Sequence, residues 1–280
     1  MTTLTAPARP IVAAGTEDVR PVRRRLGPGK PIRFGSLIGI AVLLGSWIIG
    51  SATGLIDPRN LTEPWTVVTT TGTLIEDGRL QEGLVTSGIR AALGLGLGVA
   101  VGTVLALISG LSRLGESLID GPIQVKRSIP TLALIPLLIL WLGIGEPMKI
   151  ITIALAVFVP IYIHTHNGLR TIEGRYAELA ETLGVSRWEF VRHVVLPGAM
   201  PGFLLGMRFA VTSSLLALVV VEQVNSTSGI GYMITLASSY GQTDVIVVGL
   251  VVYAALGLIA DVTVRLIERK ALTWRRTLEG

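Results

Sequence analysis

The sequence predicts an all-α, polytopic membrane protein with about six transmembrane helices. Half of its 280 residues are hydrophobic, only 15% are charged, and the mean hydropathy is +0.65. Uncharged stretches of roughly 20 residues recur along the chain, which is the length that a helix needs to cross ~30 Å of hydrocarbon. Lys and Arg gather at alternate ends of these stretches, as they do where basic loops remain in the cytoplasm.

Six spans account for the uncharged stretches. In chain order, we expect them at about 34–56, 89–112, 128–145, 149–169, 197–221 and 244–267. Arg208 interrupts the fifth span and Asp261 the sixth. The segment 223–243 is also uncharged, but it is rich in Ser, Thr, Gly, Asn and Gln. We therefore expect a short or re-entrant segment there, buried in protein, rather than a seventh span.

The basic residues predict that both termini are cytoplasmic. Residues 1–33 are rich in Arg, Pro and Ala without periodicity, so we expect a disordered basic tail before a membrane domain at 34–270 and a cytoplasmic tail at 271–280. A cleaved signal peptide would need a shorter apolar core and an early cleavage site. The acidic loop 57–85 has an apolar pattern after Pro64 that fits a short amphipathic helix on the outer surface.

Small residues and prolines mark how the spans pack. The second span carries a small residue at every fourth position, the glycine row: Gly94, Gly98, Gly102, Ala106 and Gly110. Such a row lets helix backbones approach closely, and we expect it to pack within the chain rather than to form a dimer face. Kinks are expected at prolines in or beside the third and fourth spans: Pro130, Pro136 and Pro160.

Several functions are excluded by what the sequence lacks. It has no Cys, and therefore no disulfide, thiolate metal site or Cys nucleophile. It has no G-x-x-x-x-G-K-[S/T] phosphate loop, so the chain cannot itself be an ATPase of that type. His164 and His166 do not share a helix face, so no metal site is expected. The basic residues lie at span edges rather than in a patch with aromatics, which argues against nucleic acid.

A charged segment at 175–195 separates the fourth and fifth spans. Its first half has an apolar face at helical spacing, formed by Tyr176, Leu179, Ala180 and Leu183. Gly184 is expected to end this first helix.

Ser186 and Glu189 form a capping box that begins a second helix. Trp188, Val191 and Val195 continue the apolar stripe, and we expect Leu196–Pro197 to end the helix. The pair fits a docking element for a partner protein or an interfacial pair lying on lipid headgroups.

The segment resembles the cytoplasmic loop signature of ABC importer permeases. That signature reads Glu-Ala-Ala, three residues, Gly, nine residues, Ile, one residue and Leu-Pro. The matching positions here are Glu178, Leu179, Ala180, Gly184, Val194, Leu196 and Pro197. Leu179 and Val194 depart conservatively from it. The resemblance implies that these residues, with Trp188, form a coupling loop that sits in a groove of a separate ATPase subunit.

The resemblance extends from about residue 60 to 270. Stretches such as "RSIPTLALIPLLILWLGIGEPMKI" are similar to permeases for aliphatic sulfonates, taurine and nitrate, with relatives that move bicarbonate or pyrimidine-type vitamin precursors. It implies a type I ABC importer permease-like fold in the bacterial inner membrane, acting in transport rather than as an enzyme. An ion-gradient-driven transporter is the alternative, although no inverted repeat is evident.

The resemblance also implies a set of partners. They are a second permease copy in a homodimer, a homodimeric ATP-binding cassette ATPase and an extracytoplasmic substrate-binding protein, all at the lipid bilayer. The ATPase would use ATP and Mg²⁺, and this chain would bind no cofactor.

Charges within or beside the spans are the remaining candidates. Arg208 has two competing roles, as a cation that faces the substrate or as a structural partner of Asp261, and we expect the structural role. Arg265 is a rival partner, because it lies four residues beyond Asp261 on the same helix face. Arg90 and Glu222 are candidates at the outer ends of their spans.

Overall fold

The computed structural model describes residues 35–273, and these are helical almost throughout. In chain order the helices are α1 (Gly35–Ala52), α2 (Pro64–Glu76), α3 (Arg79–Leu111), α4 (Arg113–Ser128), α5 (Ile135–Leu142), α6 (Glu146–Arg170), α7 (Gly174–Thr182), α8 (Arg187–Phe190), α9 (Leu196–Asn225), α10 (Ile230–Ser239) and α11 (Thr243–Ala271). No strand occurs within 35–273, which confirms the all-α class. The predicted tail at 1–33 and most of the tail at 271–280 lie outside the described residues.

The chain divides into two units, Met1–Ser46 and Trp47–Gly280. The described part of the first unit is the beginning of α1, an apolar helical stretch. The helices from α2 onwards all belong to the second unit.

The second unit is built around α6, which packs along both α3 and α9. The buried side chains of α6 include Ile153, Val157 and Ile161, and these join a core shared with α5 and α9. A second core joins α2, α3, α10 and α11, with Val67, Leu74 and Ile230 among its buried side chains. The short helix predicted after Pro64 is therefore present as α2, and one of its faces is buried.

The glycine row explains how α3 comes so close to α6. A Cβ atom placed on Gly98 would lie 2.6 Å from Cβ of Val157, and one on Gly102 would lie 2.6 Å from the carbonyl oxygen of Phe158. Only glycine fits at such distances. The prediction that the row packs within the chain is confirmed.

Four helices are long and apolar enough to cross a membrane: Arg79–Leu111, Glu146–Arg170, Arg187–Val224 and Thr243–Ala271. A fifth crossing is possible if α4 and the helical residues 131–142, which bend by 89° at their junction, count as one broken span. Adding the shorter helix α1 gives the predicted number of about six. The ten residues of α10 are too few to cross, in agreement with the short segment expected there.

The third span, predicted at 128–145 with kinks at Pro130 and Pro136, is broken at Pro130. Ile129 is extended because it precedes Pro130, and a 3₁₀ turn at Thr131–Leu134 leads into α5. Gly143 ends α5 with a positive φ of 73°. At ~2.0 Å per 3₁₀ residue and ~1.5 Å per α residue, the two helices extend ~20 Å, which is short of the ~30 Å hydrocarbon core.

The helix that contains the fifth span begins before the span, because α8 and α9 are joined by a π-helical turn at Val191–Val195. The N–H of Leu196 donates to the carbonyl oxygen of Val191, five residues back. This wider turn accommodates Pro197, which lacks an N–H of its own. The prediction that Leu196–Pro197 ends the helix is therefore wrong: the chain continues through it into α9.

Candidate functional site

The segment between α6 and α9 forms a helix–turn–helix that is held by local hydrogen bonds. The N–H of Gly184 donates to the carbonyl oxygen of Glu181 at 3.1 Å, and the N–H of Val185 donates to that of Ala180 at 2.9 Å. These two bonds form a Schellman motif, and Gly184 has the positive φ, 67°, that the motif requires. The predicted capping box begins α8, with Ser186 and Glu189 bonded reciprocally.

This turn and the two helices beside it present several exposed apolar side chains. We name this set the coupling surface, and it consists of Tyr176, Leu179, Leu183, Val185 and Trp188. Leu183 and Trp188 are more than two-thirds exposed, at 69% and 68%. Glu178 and Gly184 are also exposed, while Ala180 is half-buried.

The apolar residues predicted to continue the stripe after Trp188 do not lie on the coupling surface. Val195 is buried, and Val191 packs with it against Leu169 and Ala199 in a core between α6 and α9. Val194 is half-buried beside them, while Leu196 and Pro197 are exposed. Only Trp188 of the predicted α8 stripe therefore joins the coupling surface.

Arg187 connects this segment to the membrane helices. Its Nη2 atom donates to the carbonyl oxygen of Leu111, the last residue of α3, at 2.9 Å. The turn is therefore attached to α3 as well as continuous with α9.

A group of charged and polar side chains lies where α3, α6, α9, α10 and α11 meet. Its charged members Arg90, Lys149 and Glu222 are buried, whereas the Glu146 side chain is 53% exposed. We name the group the buried cluster, and it consists of Ser87, Arg90, Glu146, Lys149, Glu222, Ser228 and Tyr253. Sequence reasoning named only Arg90 and Glu222.

Glu222 is fully buried, and both of its carboxylate oxygens are bonded. Arg90 donates to Oε1 at 2.8 Å, and Ser87 donates to both oxygens at 2.8 and 2.9 Å. Tyr253 and the N–H of Gly231 each donate to Oε2 at 2.9 Å. Since Gly231 lies in the first turn of α10, Glu222 caps that helix from α9.

Arg90 has all three of its guanidinium nitrogens occupied. Nε and Nη2 form a bidentate pair with Glu146, both at 2.6 Å, and Nη1 bridges Glu222 and the carbonyl oxygen of Ser228. Lys149 donates to Glu146 at 2.8 Å. The two cations and two carboxylates balance, which is the arrangement that makes burial of charge tolerable.

A second group, the open cluster, contains Arg208, Asp261 and Arg265. Arg265 Nη2 lies 2.5 Å from Asp261 Oδ2, and Arg208 Nε lies 3.2 Å from Oδ1. Both candidate partners of Asp261 therefore contact it. The side chain of Arg208 is 47% exposed, that of Asp261 is 29% exposed, and that of Arg265 is 54% exposed. Two cations against one carboxylate leave a net charge of about +1 at neutral pH.

Arg208 and Asp261 lie in an open cleft of about 420 Å³ between α9 and α11. The rest of the cleft is mostly apolar, with walls that include Val211, Leu215, Val219, Ala254 and Gly257.

The two histidines of α6 pack separately. The ring of His164 stacks on Phe209 with centroids 4.9 Å apart, and that of His166 stacks on Tyr162 at 5.4 Å. Among residues 35–273, no group of three or more His, Cys, Asp or Glu side chains could hold a metal ion.

Comparison with known proteins places the chain in a transport family. Residues 98–273, more than half of the chain, match the family described as "Binding-protein-dependent transport system inner membrane component". The chain belongs to this family. It is thus a multi-pass membrane component of a transport system, and the resemblance found in the sequence is confirmed.

Curated members of this family are similar over most of their length. The chain is 44% identical to the putative aliphatic sulfonates transport permease protein SsuC of Escherichia coli (strain K12), over 83% of this chain and 88% of that one. It is 39% identical to the protein of the same name from Bacillus subtilis (strain 168), over 91% and 94%. The taurine transport system permease protein TauC of Escherichia coli (strain K12) is 32% identical, over 84% and 87%.

A solved structure shares the fold. An amino acid ABC transporter, solved with histidines, aligns with a TM-score of 0.59 at 17% identity. The alignment covers 71% of this chain and 97% of that one.

Proposed function

We propose that this chain is the membrane-spanning permease subunit of an ATP-driven importer for small organic sulfonates, such as aliphatic sulfonates or taurine. The substrate class rests on the relatives named for aliphatic sulfonate and taurine transport, which match this chain over more than four-fifths of its length. Family membership argues against an ion-gradient-driven transporter, because transport in this family depends on a binding protein.

The coupling surface is the observation that carries the ATP-driven part of the proposal. Exposed apolar patches on otherwise charged segments mark contacts with a protein or a membrane, and the match of this segment to the permease loop signature favours a protein. Here the patch is held by a Schellman turn and a capping box, and it is attached to α3 and α9. A partner that moved this element would move α9, which continues from it, and would pull on the end of α3 through Arg187.

The partner that we infer is a separate ATPase subunit that binds ATP and Mg²⁺. A homodimer of this chain would pair with a homodimer of the ATPase, and an extracytoplasmic binding protein would deliver the substrate. Closure of the ATPase dimer on ATP would displace the coupling surfaces and alternate the access of the substrate path between the two sides of the membrane.

This proposal requires both termini in the cytoplasm of a bacterial cell. Basic residues at the end of α11, Arg269 and Lys270, support that orientation. A reporter domain fused after Gly280 should be cytoplasmic, as measured by compartment-specific activity. An extracytoplasmic signal would overturn the orientation, and with it the site of ATPase docking.

Gly184 offers a test of docking. Its φ of 67° is one that a β-branched residue adopts only with strain, whereas a Cβ atom there would meet nothing within 4 Å. Gly184→Val should therefore distort the turn without a clash, and should lower ATPase co-purification and ATP-dependent sulfonate uptake in proteoliposomes by about tenfold or more.

Gly174→Val is the matched control. Gly174 begins α7, is exposed, has no positive φ and has equally open surroundings. It should retain assembly and uptake. If Gly184→Val assembles and transports like the control, the coupling surface is not the docking site. If it inserts into the membrane less well but still binds the ATPase, the segment is an interfacial element instead.

A further inference from the structure

The open cluster holds a cation whose charge is not fully compensated. Arg265 makes the short contact with Asp261, at 2.5 Å, whereas Arg208 approaches the same carboxylate only through Nε, at 3.2 Å. Nε is the atom of Arg208 nearest to Asp261, and the pair lacks the two parallel hydrogen bonds that join Arg90 to Glu146. The guanidinium group therefore keeps donors free for an anion.

The surroundings of Arg208 are amphiphilic. The cleft of about 420 Å³ combines this cation with walls formed largely by the apolar side chains of Val211, Leu215 and Val219. Its size falls within the ~300–1,000 Å³ range typical of small-molecule sites. A molecule with an anionic head and a short alkyl chain complements both features.

We propose that this cleft is a site for the transported sulfonate, with the sulfonate oxygens on the Nη atoms of Arg208 and the alkyl chain along Val211, Leu215 and Val219. The proposal rests on the proposed function and adds a site and a chemical basis for selecting anions. Guanidinium groups donate two parallel hydrogen bonds to oxyanions, which orients the head group. Because Arg208 is about half exposed and the net charge is only about +1, binding is weak enough to permit release.

Under this proposal, Asp261 and Arg265 set the orientation and the effective charge of Arg208. Asp261 orients Arg208 through Nε, while Arg265 occupies the other carboxylate oxygen and prevents full neutralisation of Arg208. Arg265 does not line the cleft itself. Its effect on the substrate would therefore be electrostatic.

The test uses the complete transporter in proteoliposomes, with its ATPase and saturating binding protein loaded with ethanesulfonate. Arg208→Gln should lower uptake at least about tenfold, the loss expected for one charged hydrogen-bonding partner, while ATP hydrolysis stimulated by the binding protein stays within about twofold. Arg208→Lys, which keeps the charge, should recover uptake to within about threefold of the unaltered protein. Arg269→Gln, on the same helix as Arg265 and exposed, is the control and should have no effect.

A double variant separates charge balance from packing. Arg265→Gln leaves Asp261 to neutralise Arg208 and should lower uptake about threefold or more. Adding Asp261→Asn restores the net charge of about +1 and should restore uptake. A purely structural role for the cluster predicts the opposite, because the double variant loses both ion pairs.

Gly257→Val tests the apolar wall. A Cβ atom at Gly257 would lie 3.6 Å from Cδ1 of Leu215, an ordinary contact, so a small side chain fits and narrows the cleft. Uptake of hexanesulfonate should fall several-fold more than uptake of methanesulfonate. Loss of the homodimer instead would show that a second copy covers the cleft, and loss of activity only in anionic lipid would show that a lipid occupies it. Either result overturns the site.

The failure of this inference is distinguishable from failure of the proposed function. If the unaltered transporter moves no sulfonate at all, the proposed substrate class is wrong. If it moves ethanesulfonate and Arg208→Gln moves it equally well, only the site is wrong. Failure of Arg208→Gln and Arg208→Lys to assemble would assign Arg208 a structural role and also overturn the proposal.

Discussion

The buried cluster and the open cluster both place arginine and carboxylate side chains on the long helices, but they differ in burial and in charge balance. In the buried cluster, Arg90 is 2% exposed and Glu222 is 0% exposed, and each is bonded to several partners. In the open cluster, one carboxylate serves two half-exposed arginines, and Arg208 keeps unused donors in the described structure. A charge in an apolar span can thus hold helices together or face a cavity, and the number of its partners indicates which.

The energetic consequences differ as well. Removing one partner of a buried ion pair leaves the other charge without compensation and costs roughly 3–5 kcal/mol. Removing one partner of a solvent-accessible pair typically costs only about 0.2–1 kcal/mol. We therefore assign stability to the buried cluster and transport to the open cluster.

The largest effect is expected for Glu222→Ala. It leaves Arg90 without one of its two carboxylates and leaves the N–H of Gly231 and the hydroxyl of Tyr253 without their acceptor. We expect a loss of about 3–5 kcal/mol in the free energy of unfolding, seen as poor recovery from the membrane and early thermal unfolding. Compared with the unaltered protein, the variant should show its largest increase in amide hydrogen exchange in α10, because Glu222 caps the first turn of that helix.

Glu76→Ala is the control for this change, since Glu76 is an exposed carboxylate at the end of α2. It should unfold like the unaltered protein. Glu222→Gln keeps one acceptor oxygen and should fall between the two. If Glu222→Ala and Glu76→Ala are equally stable, the buried cluster does not stabilise the fold. The proposed difference between the buried and the open cluster would then be wrong.

Regular spacing made much of the fold predictable from sequence. The glycine row repeats every four residues, so its packing within the chain could be foreseen from the α3 sequence alone. The Gly184 turn and the capping box at Ser186 are local motifs and were equally visible. The third span and its kink at Pro130 were predicted, but the part that α4 plays in it was not, because hydropathy does not detect the charged helix before the break at Ile129.

The same contrast between local sequence patterns and long-range packing applies to the candidate sites. Arg208 and Asp261 were found because each is an isolated charge in an apolar stretch. Arg90 and Glu222 were also named, but their pairing and the part played by Glu146 were not foreseen, because only the packing of α3 with α6 and α9 brings these side chains together. Tyr253 and Ser87 are ordinary residues of their helices in the sequence, and only the folded chain shows that they bond Glu222. Val195 belongs to the apolar pattern of α8, but the π-helical turn leads it into the core.

The central claim is that the buried cluster stabilises the fold and the open cluster does not. Its most direct test is the thermal unfolding midpoint of Arg90→Gln and of Arg208→Gln, measured on the purified chain in the same detergent. Both changes remove one guanidinium group from a membrane helix, so they differ only in the surroundings of that group. We predict that Arg90→Gln lowers the midpoint by about 10 °C or more, because Glu222 is left buried without its cation. Arg208→Gln should stay within about 2 °C of the unaltered protein, because Asp261 keeps Arg265. Equal losses in the two variants, or a larger loss for Arg208→Gln, would contradict the account.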